Sequence, residues 1–211
     1  MLEDLNVLQT YLVTFCISAL IGSFNWAGLI SRLRGVDIRS VGSSNPGAAN
    51  VFLYVGRISG LLVMVLDMLK TMLAIAVCQK LFGRSLVLRT LAGSGACIGH
   101  MYPFYRLFRK GGKGLACLCV TIFVTEYHCA MLLIIALGVM VKLTGHFALV
   151  PLVGCLVIPP LFGYCTHDYR VFFILLVTCL LMLNKHRENL KWMLDDQDMV
   201  DKLNELAKNT D

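Results

Sequence analysis

Residues 115–142 read LACLCVTIFVTEYHCAMLLIIALGVMVK, an apolar run in which the only formal charges are Glu126 and the closing Lys142. As one helix it would measure about 42 Å, against a hydrocarbon core of about 30 Å. Glu126, Tyr127 and His128 stand near its middle. The run therefore reads as two shorter segments with a turn at Thr125–His128, each short enough to need tilting or shielding by neighbours. This reading decides the fold, because it sets how many times the chain changes sides.

The other apolar stretches lie at about 7–30, 59–82, 86–104, 147–164 and 171–184. Three polar regions between or after them are basic. The 31–58 connection holds Arg32, Arg34, Arg39 and Arg57 against Asp37. The 105–114 connection holds Arg106, Arg109, Lys110 and Lys113 with no acid, and 185–191 holds Lys185, Arg187 and Lys191 against Glu188. Lys and Arg accumulate on the cytoplasmic side of membrane proteins. Only a division of 115–142 into two segments puts all three regions on one face. The expectation is an all-α, polytopic integral membrane protein of about seven transmembrane helices, N-terminus outside and C-terminus inside. A single transmembrane domain is expected over 1–194, with a solvated acidic tail over 195–211.

Composition agrees. Of 211 residues, 57% are hydrophobic and 15% charged, with a mean hydropathy of +0.73. A soluble domain carries about 25% charged residues, so this chain has too little polar surface to cover a water-facing globule. The first apolar run follows Glu3 and Asp4, with neither a basic n-region nor a small-residue cleavage site, and reads as a retained span. Nine cysteines form no C-x-x-C pair and sit mostly inside apolar runs, as small buried hydrophobes do. The formal net charge of +6 calls for an anionic partner. The basic residues lie in loops between spans, which excludes nucleic acid and leaves headgroups or an anionic substrate.

Three segments carry chemistry. Loop one, Val41-Gly-Ser-Ser-Asn-Pro-Gly-Ala-Ala-Asn50, can turn backbone N–H groups into one space, with Ser43, Ser44 and Asn45 adding donors; such nests bind phosphate. Gly42, Gly47 and Asn50 belong to the same candidate site. An ordinary turn is the plain alternative. Loop two, Arg109-Lys-Gly-Gly-Lys-Gly114, joins Lys110 and Lys113 to Gly111, Gly112 and Gly114 directly before an apolar run, so a helix starting there would aim its positive end at an anion. It is not a nucleotide-binding P-loop, since Leu115 stands where Ser or Thr would hold magnesium. The third, Asn184-Lys-His-Arg-Glu-Asn189, puts His186 and Asn189 three apart on one helix face, where a basic membrane anchor is the alternative. Asp67 and Lys70, also three apart inside the second span, read as a mutual ion pair bracing the fold. His100, His128, His146 and His167 are scattered. No H-x-x-x-x-D, no G-x-S-x-G and no metal-spaced His pair occurs.

Taken together, these segments resemble the acyl-phosphate:glycerol-3-phosphate acyltransferase family of bacterial membranes (PlsY) over about residues 18–194. Val41 to Asn50 matches the family's V-G-S-G-N-x-G-A-T-N. Gly22–Ser23 through Gly28 and Leu33–Arg39 match the preceding G-S…G and L-x-G-x-D-x-R. Asp67 and Lys70 match D-x-x-K-G; Gly99–His100, Pro103 and Lys110–Gly114 match G-H-x-x-P…K-G-G-K-G; His186–Leu190 matches H-R-E-N-I. The resemblance implies transfer of an acyl group from acyl phosphate to the 1-hydroxyl of glycerol 3-phosphate, giving lysophosphatidic acid and phosphate, with no cofactor and no metal. It implies Ser43, Asn45, Lys113, His186 and Asn189 as the residues of the reaction, with Gly42, Ser44, Gly47, Asn50, Lys110, Gly111, Gly112 and Gly114 around the phosphates. Implied partners are the two substrates, membrane lipid and the enzyme that supplies acyl phosphate; the implied location is the bacterial inner membrane.

The sequence also departs from the family pattern. Ser44 replaces a Gly, Ala49 a Thr, Thr71 a Gly, and loop two has one extra residue before Lys110. The serines usual near 142–150 are missing, and Leu53 stands where the family has Arg. Loss of a charge-assisted contact of about 1.5–3 kcal/mol is one to two decades of affinity. Arg57, four residues on and so on the same helical face, is the candidate replacement. A non-catalytic relative that binds phospholipid precursors or regulates an active enzyme is the alternative function. A small transporter fits less well, because Asp67 and Lys70 are the main charges deep in spans and no inverted repeat is visible.

Overall fold

The computed structural model describes residues 6–106, 111–146 and 149–194, apart from the side chains at 106 and 188–194. Lys110 and the acidic tail fall outside the described residues. These residues form nine α-helices and one 3₁₀ turn, with no strand among them. Five helical stretches are long and apolar enough to cross a membrane: Val7–Leu33, Arg57–Phe82, Tyr127–Thr144, Leu149–Thr166 and Tyr169–Arg187. Many of their large apolar side chains point outward, Leu61, Leu73, Leu132 and Leu156 among them. In water such a surface would aggregate; against lipid it is the expected face.

The chain folds as two compact units, up to Thr125 and from Glu126. The first holds α1 (Val7–Gly22), α2 (Trp26–Leu33), α3 (Ala48–Tyr54), α4 (Arg57–Phe82), α5 (Leu86–Met101) and α6 (Leu115–Thr125). α5 is its hub, packed by α1, α4 and α6. Its sequence Ala92-Gly-Ser-Gly-Ala-Cys-Ile-Gly99 explains this, because small residues let helix backbones approach closely. A Cβ added to Gly22 would lie 2.1 Å from the Ala96 carbonyl oxygen, and one on Gly99 2.0 Å from that of Ala19. Neither neighbour is a side chain that could yield. At the far end of this packing the Thr90 and Thr125 hydroxyls bond at 3.0 Å, and Arg89 donates to the Thr125 carbonyl.

The first apolar stretch is not one helix, as its composition led us to expect, but two. α1 ends at Gly22, and the Ser23 hydroxyl bonds back to the Ala19 carbonyl. The Asn25 side chain caps α2 by accepting the Gly28 N–H. In a continuous helix that N–H would go to the Phe24 carbonyl. The Phe24 oxygen is thereby released for another donor. The 31–58 connection likewise contains α3, which the loop-like composition concealed.

The second unit holds α7 (Tyr127–Thr144), α8 (Leu149–Thr166) and α9 (Tyr169–Leu194), with α8 packed on both α7 and α9. The interruption read at Thr125–His128 is a helix boundary: Glu126 is extended and caps α7 through the His128 N–H. At the start of α9, Asp168 accepts bonds from the Arg170 backbone and guanidinium, which hold its carboxyl below the usual carboxylate range. Gly163 of α8 lies against Phe172 of α9.

The α1–α5 seam sets one expected outcome. Gly99→Val should lower stability by about 1–3 kcal/mol through overpacking, read as an earlier melting midpoint in detergent. Gly138→Ala on α7, where an added Cβ meets nothing within 4 Å, should leave the midpoint unchanged or raised.

Candidate functional site

Three residues buried in the first unit organise its polar end. Lys70 on α4 is 5% exposed, Asp67 one turn earlier 3%, and His100 on α5 7%. The Lys70 ammonium lies 2.6 Å from Asp67 Oδ1, 2.8 Å from the Phe24 carbonyl oxygen and 2.8 Å from His100 Nδ1. The ion pair that the i, i+3 spacing led us to expect is present, but it is part of a larger cluster. The ammonium is thus hydrogen-bonded to the carbonyl and the ring nitrogen and ion-paired with the carboxylate. His100 Nδ1 is also 3.5 Å from Asp67 Oδ1.

Loop two is folded onto the end of α5. The Gly112 N–H donates to the His100 carbonyl at 3.1 Å, and a Cβ at position 112 would fall 2.0 Å from His100 Nε2. One at Gly111 would fall 2.3 Å from the Met101 carbonyl oxygen. Gly114 takes a positive φ of 84° and its carbonyl receives the Cys97 thiol before α6 begins at Leu115. These three glycines form the contact layer between the loop and α5. Lys113 is half-buried between them.

Loop one is built around Asn50. Its side chain, 3% exposed, accepts the Ser43 N–H and donates to the carbonyls of Ile38 (3.0 Å) and Val41 (3.1 Å). This amide is committed to shaping the loop. Gly42, at φ 55°, is pressed against the Tyr54 ring and the Asn50 amide. Ser44 is exposed and adopts a left-handed φ of 54°, unusual for a residue with a side chain, at the position where the family pattern has Gly. Ser43 and Asn45 are half-buried, and neither side chain has a hydrogen-bond partner among the described residues. Gly47 is the N-cap of α3 and donates to the Asn45 carbonyl. Beneath the loop, Ile38 packs with Ala27 and Ile30 of α2, Val51 of α3 and Val63 of α4. Arg39 lies over Gly28 in the first turn of α2.

Arg57 requires a correction. The expectation placed it on the same helical face as Leu53, but α3 ends at Tyr54 and α4 begins at Arg57 itself. Gly56, at φ 143°, separates them in a conformation open to glycine and closed to most other residues. The four-residue spacing therefore carries no facial relation. Arg57 is exposed at the start of α4.

In the second unit, His186 on α9 is 3% exposed, and its Nδ1 bonds the Met182 carbonyl at 3.0 Å. That contact leaves Nε2 as the acceptor nitrogen of a neutral ring. Asn189 lies three residues on along the same helix, its side chain outside the described residues. Sequence reasoning overlooked two participants in the first unit, His100 and the Phe24 carbonyl. His100 had a signal, since it sits in the matched G-H-x-x-P segment. The Phe24 carbonyl had none, because a main-chain atom freed at a helix break leaves no mark on composition.

The fold and these loops define a polytopic helical membrane protein whose polar, glycine-rich connections are braced by buried charge. A family model described as glycerol-3-phosphate acyltransferase matches residues 12–196, and the chain belongs to that family. A glycerol-3-phosphate acyltransferase of Tolumonas auensis is 34% identical over 190 residues, covering 88% of this chain and 92% of the relative. One from Aliivibrio salmonicida is 37% identical over 181 residues, covering 85% and 92%. One from Aquifex aeolicus is 31% identical over 191 residues, covering 89% and 96%. Among solved structures, the glycerol 3-phosphate form of PlsY (YgiH), an integral membrane glycerol 3-phosphate acyltransferase, superposes with a TM-score of 0.78 at 31% identity, covering 89% of this chain and 94% of that one. Its lysophosphatidic acid form gives 0.72 at 30%.

Two neighbouring asparagines should behave differently. Asn50→Ala removes an amide that satisfies three backbone groups, one of them buried and two half-buried, and should lower stability by about 1–3 kcal/mol. Asn45→Ala removes no intramolecular bond and should stay within about 0.5 kcal/mol. Thermal unfolding of the two purified variants measures the difference.

Proposed function

We propose that this chain transfers an acyl group from acyl phosphate to the 1-hydroxyl of glycerol 3-phosphate, releasing lysophosphatidic acid and phosphate. The observation that carries the reading is that both glycine-rich loops are anchored at the α1–α2 joint. Loop two reaches it through His100, Lys70 and the Phe24 carbonyl, and loop one through Arg39 and the apolar cluster under Ile38. Family membership supplies the substrate class, since the solved relatives are described in glycerol 3-phosphate and lysophosphatidic acid forms.

The chemistry suits such loops. Acyl phosphate is a mixed anhydride and already activated, so no serine nucleophile is required. The acceptor hydroxyl oxygen attacks the acyl carbon, the carbon–oxygen bond to phosphate breaks, and the departing phosphate takes the hydroxyl proton. The protein's part is positioning and stabilisation of the developing oxyanion. Ser43 and Asn45 supply unengaged donors, Lys110 and Lys113 the cationic charge, and His186 and Asn189 the hydrogen bonds of the third motif. Gly42, Ser44 and Gly47, with Asn50, shape loop one; Gly111, Gly112 and Gly114 shape loop two. With three basic regions on one face, the loops and C-terminus are cytoplasmic and the N-terminus outside, in a bacterial inner membrane. Residues 1–194 act as one transmembrane domain and 195–211 as a solvated tail. The acyl donor comes from a separate enzyme.

A second reading, a non-catalytic relative, is favoured by one residue: Leu53, apolar on α3 where the family pattern has Arg. Phosphate release from acyl phosphate by the purified protein separates the two. Release that depends on glycerol 3-phosphate and falls about 100-fold or more in Lys113→Ala establishes the enzyme. No release from folded protein, beside an active relative, establishes the alternative.

A further inference from the structure

We propose that His100 is a positioning residue for this reaction. Locked by Lys70 in the tautomer that carries its proton on Nε2, it holds the Gly111–Gly114 segment, and with it Lys113, in working geometry. The proposal rests on the reading above that loop two binds a substrate phosphate.

The argument begins with the proton between Lys70 and His100. The Lys70 ammonium donates to the Phe24 carbonyl, has Asp67 Oδ1 as its ion-pair partner at 2.6 Å, and lies 2.8 Å from His100 Nδ1. An ammonium only donates, so His100 Nδ1 can face it at that distance only if it bears a lone pair. A neutral imidazole with a bare Nδ1 carries its single hydrogen on Nε2. Protonating both nitrogens would set an imidazolium 2.8 Å from an ammonium in a buried site, with one carboxylate to balance two cations. The cluster is thus neutral as a whole and specifies the tautomer.

The Nε2 apex is the part of the ring that meets loop two. Of all atoms near a Cβ built on Gly112, Nε2 is the nearest, at 2.0 Å, and the Gly112 N–H bonds the main chain of the same histidine. Ring and backbone of His100 therefore grip one residue from two sides. Lys113 is the next residue, and α6 starts two positions later. A rotation of the ring would displace Lys113 directly. A purely structural cluster would show the same tautomer, but changes at His100 would then move substrate affinity only as far as they move stability.

That difference gives the test. Imidazole-¹⁵N-labelled protein, with the His100 signals assigned by their loss in His100→Gln, should show the Nε2–H tautomer. Lys70→Met should abolish that preference. Asn places its amide where Nδ1 was and so keeps the Lys70 contact; Gln places its amide at Nε2 and keeps the loop contact. His100→Asn should therefore raise KM for glycerol 3-phosphate roughly 10- to 100-fold, and His100→Gln should remain nearer the parent. An Nδ1–H tautomer in the parent protein overturns the proposal. So does activity in the two variants that merely tracks their melting midpoints. If the parent protein releases no phosphate, the acyltransfer reading fails on that result alone. The tautomer in the parent and Lys70→Met, with calorimetric glycerol 3-phosphate affinities of the two His100 variants, then decides the His100 link.

Discussion

An ammonium buried among membrane helices must find an acceptor for each of its protons, and the first unit is arranged around meeting that demand at Lys70. Its partners come from three different segments: an ion-paired carboxylate one turn away on α4, and hydrogen-bond acceptors in a ring nitrogen on α5 and a main-chain oxygen at the α1–α2 joint. Each constrains a helix. The joint itself is part of the arrangement, because Asn25 takes the N–H that would otherwise have occupied the Phe24 carbonyl. Removing one partner would leave an uncompensated charge in a medium that solvates charge poorly, which is why such clusters behave as a unit.

Small residues extend that constraint outward. Along α5 they let α1 approach until backbone meets backbone, which sets the depth at which Phe24 and His100 face Lys70. Beyond α5 the loop-two glycines lie on the helix end so closely that no side chain fits at 111 or 112. Glycine there allows the close packing, with half-buried Lys113 carried between Gly112 and Gly114. In loop one the Asn50 amide is spent on the backbone, while the side chains of Ser43 and Asn45 have no hydrogen-bond partner among the described residues.

Belonging to the glycerol-3-phosphate acyltransferase family does not make this chain a copy of its relatives. At 30–37% identity to those compared, it differs at several positions of the family pattern. Leu53 is one such place, and Arg57 does not share its helix, since Gly56 ends the continuity that spacing alone implied. Ser44 is another, where a side chain is carried in a backbone conformation that the family pattern gives to glycine.

The amino-acid sequence by itself determined what depends on neighbours along the chain. Its apolar runs placed the long helices, Glu126 divided the run at 115–142, and Asp67 and Lys70 paired because three residues is one helical turn. The motif segments that carry the family likeness were legible for the same reason. Only the tertiary structure decided the break at Phe24, the short α3, the commitment of Asn50 to its own loop and the link from Lys70 through His100 to Gly112. The first three turn on caps and loop bonds that apolar periodicity does not register, and the last joins segments far apart in sequence; no local periodicity encodes which distant carbonyl a buried ammonium will find.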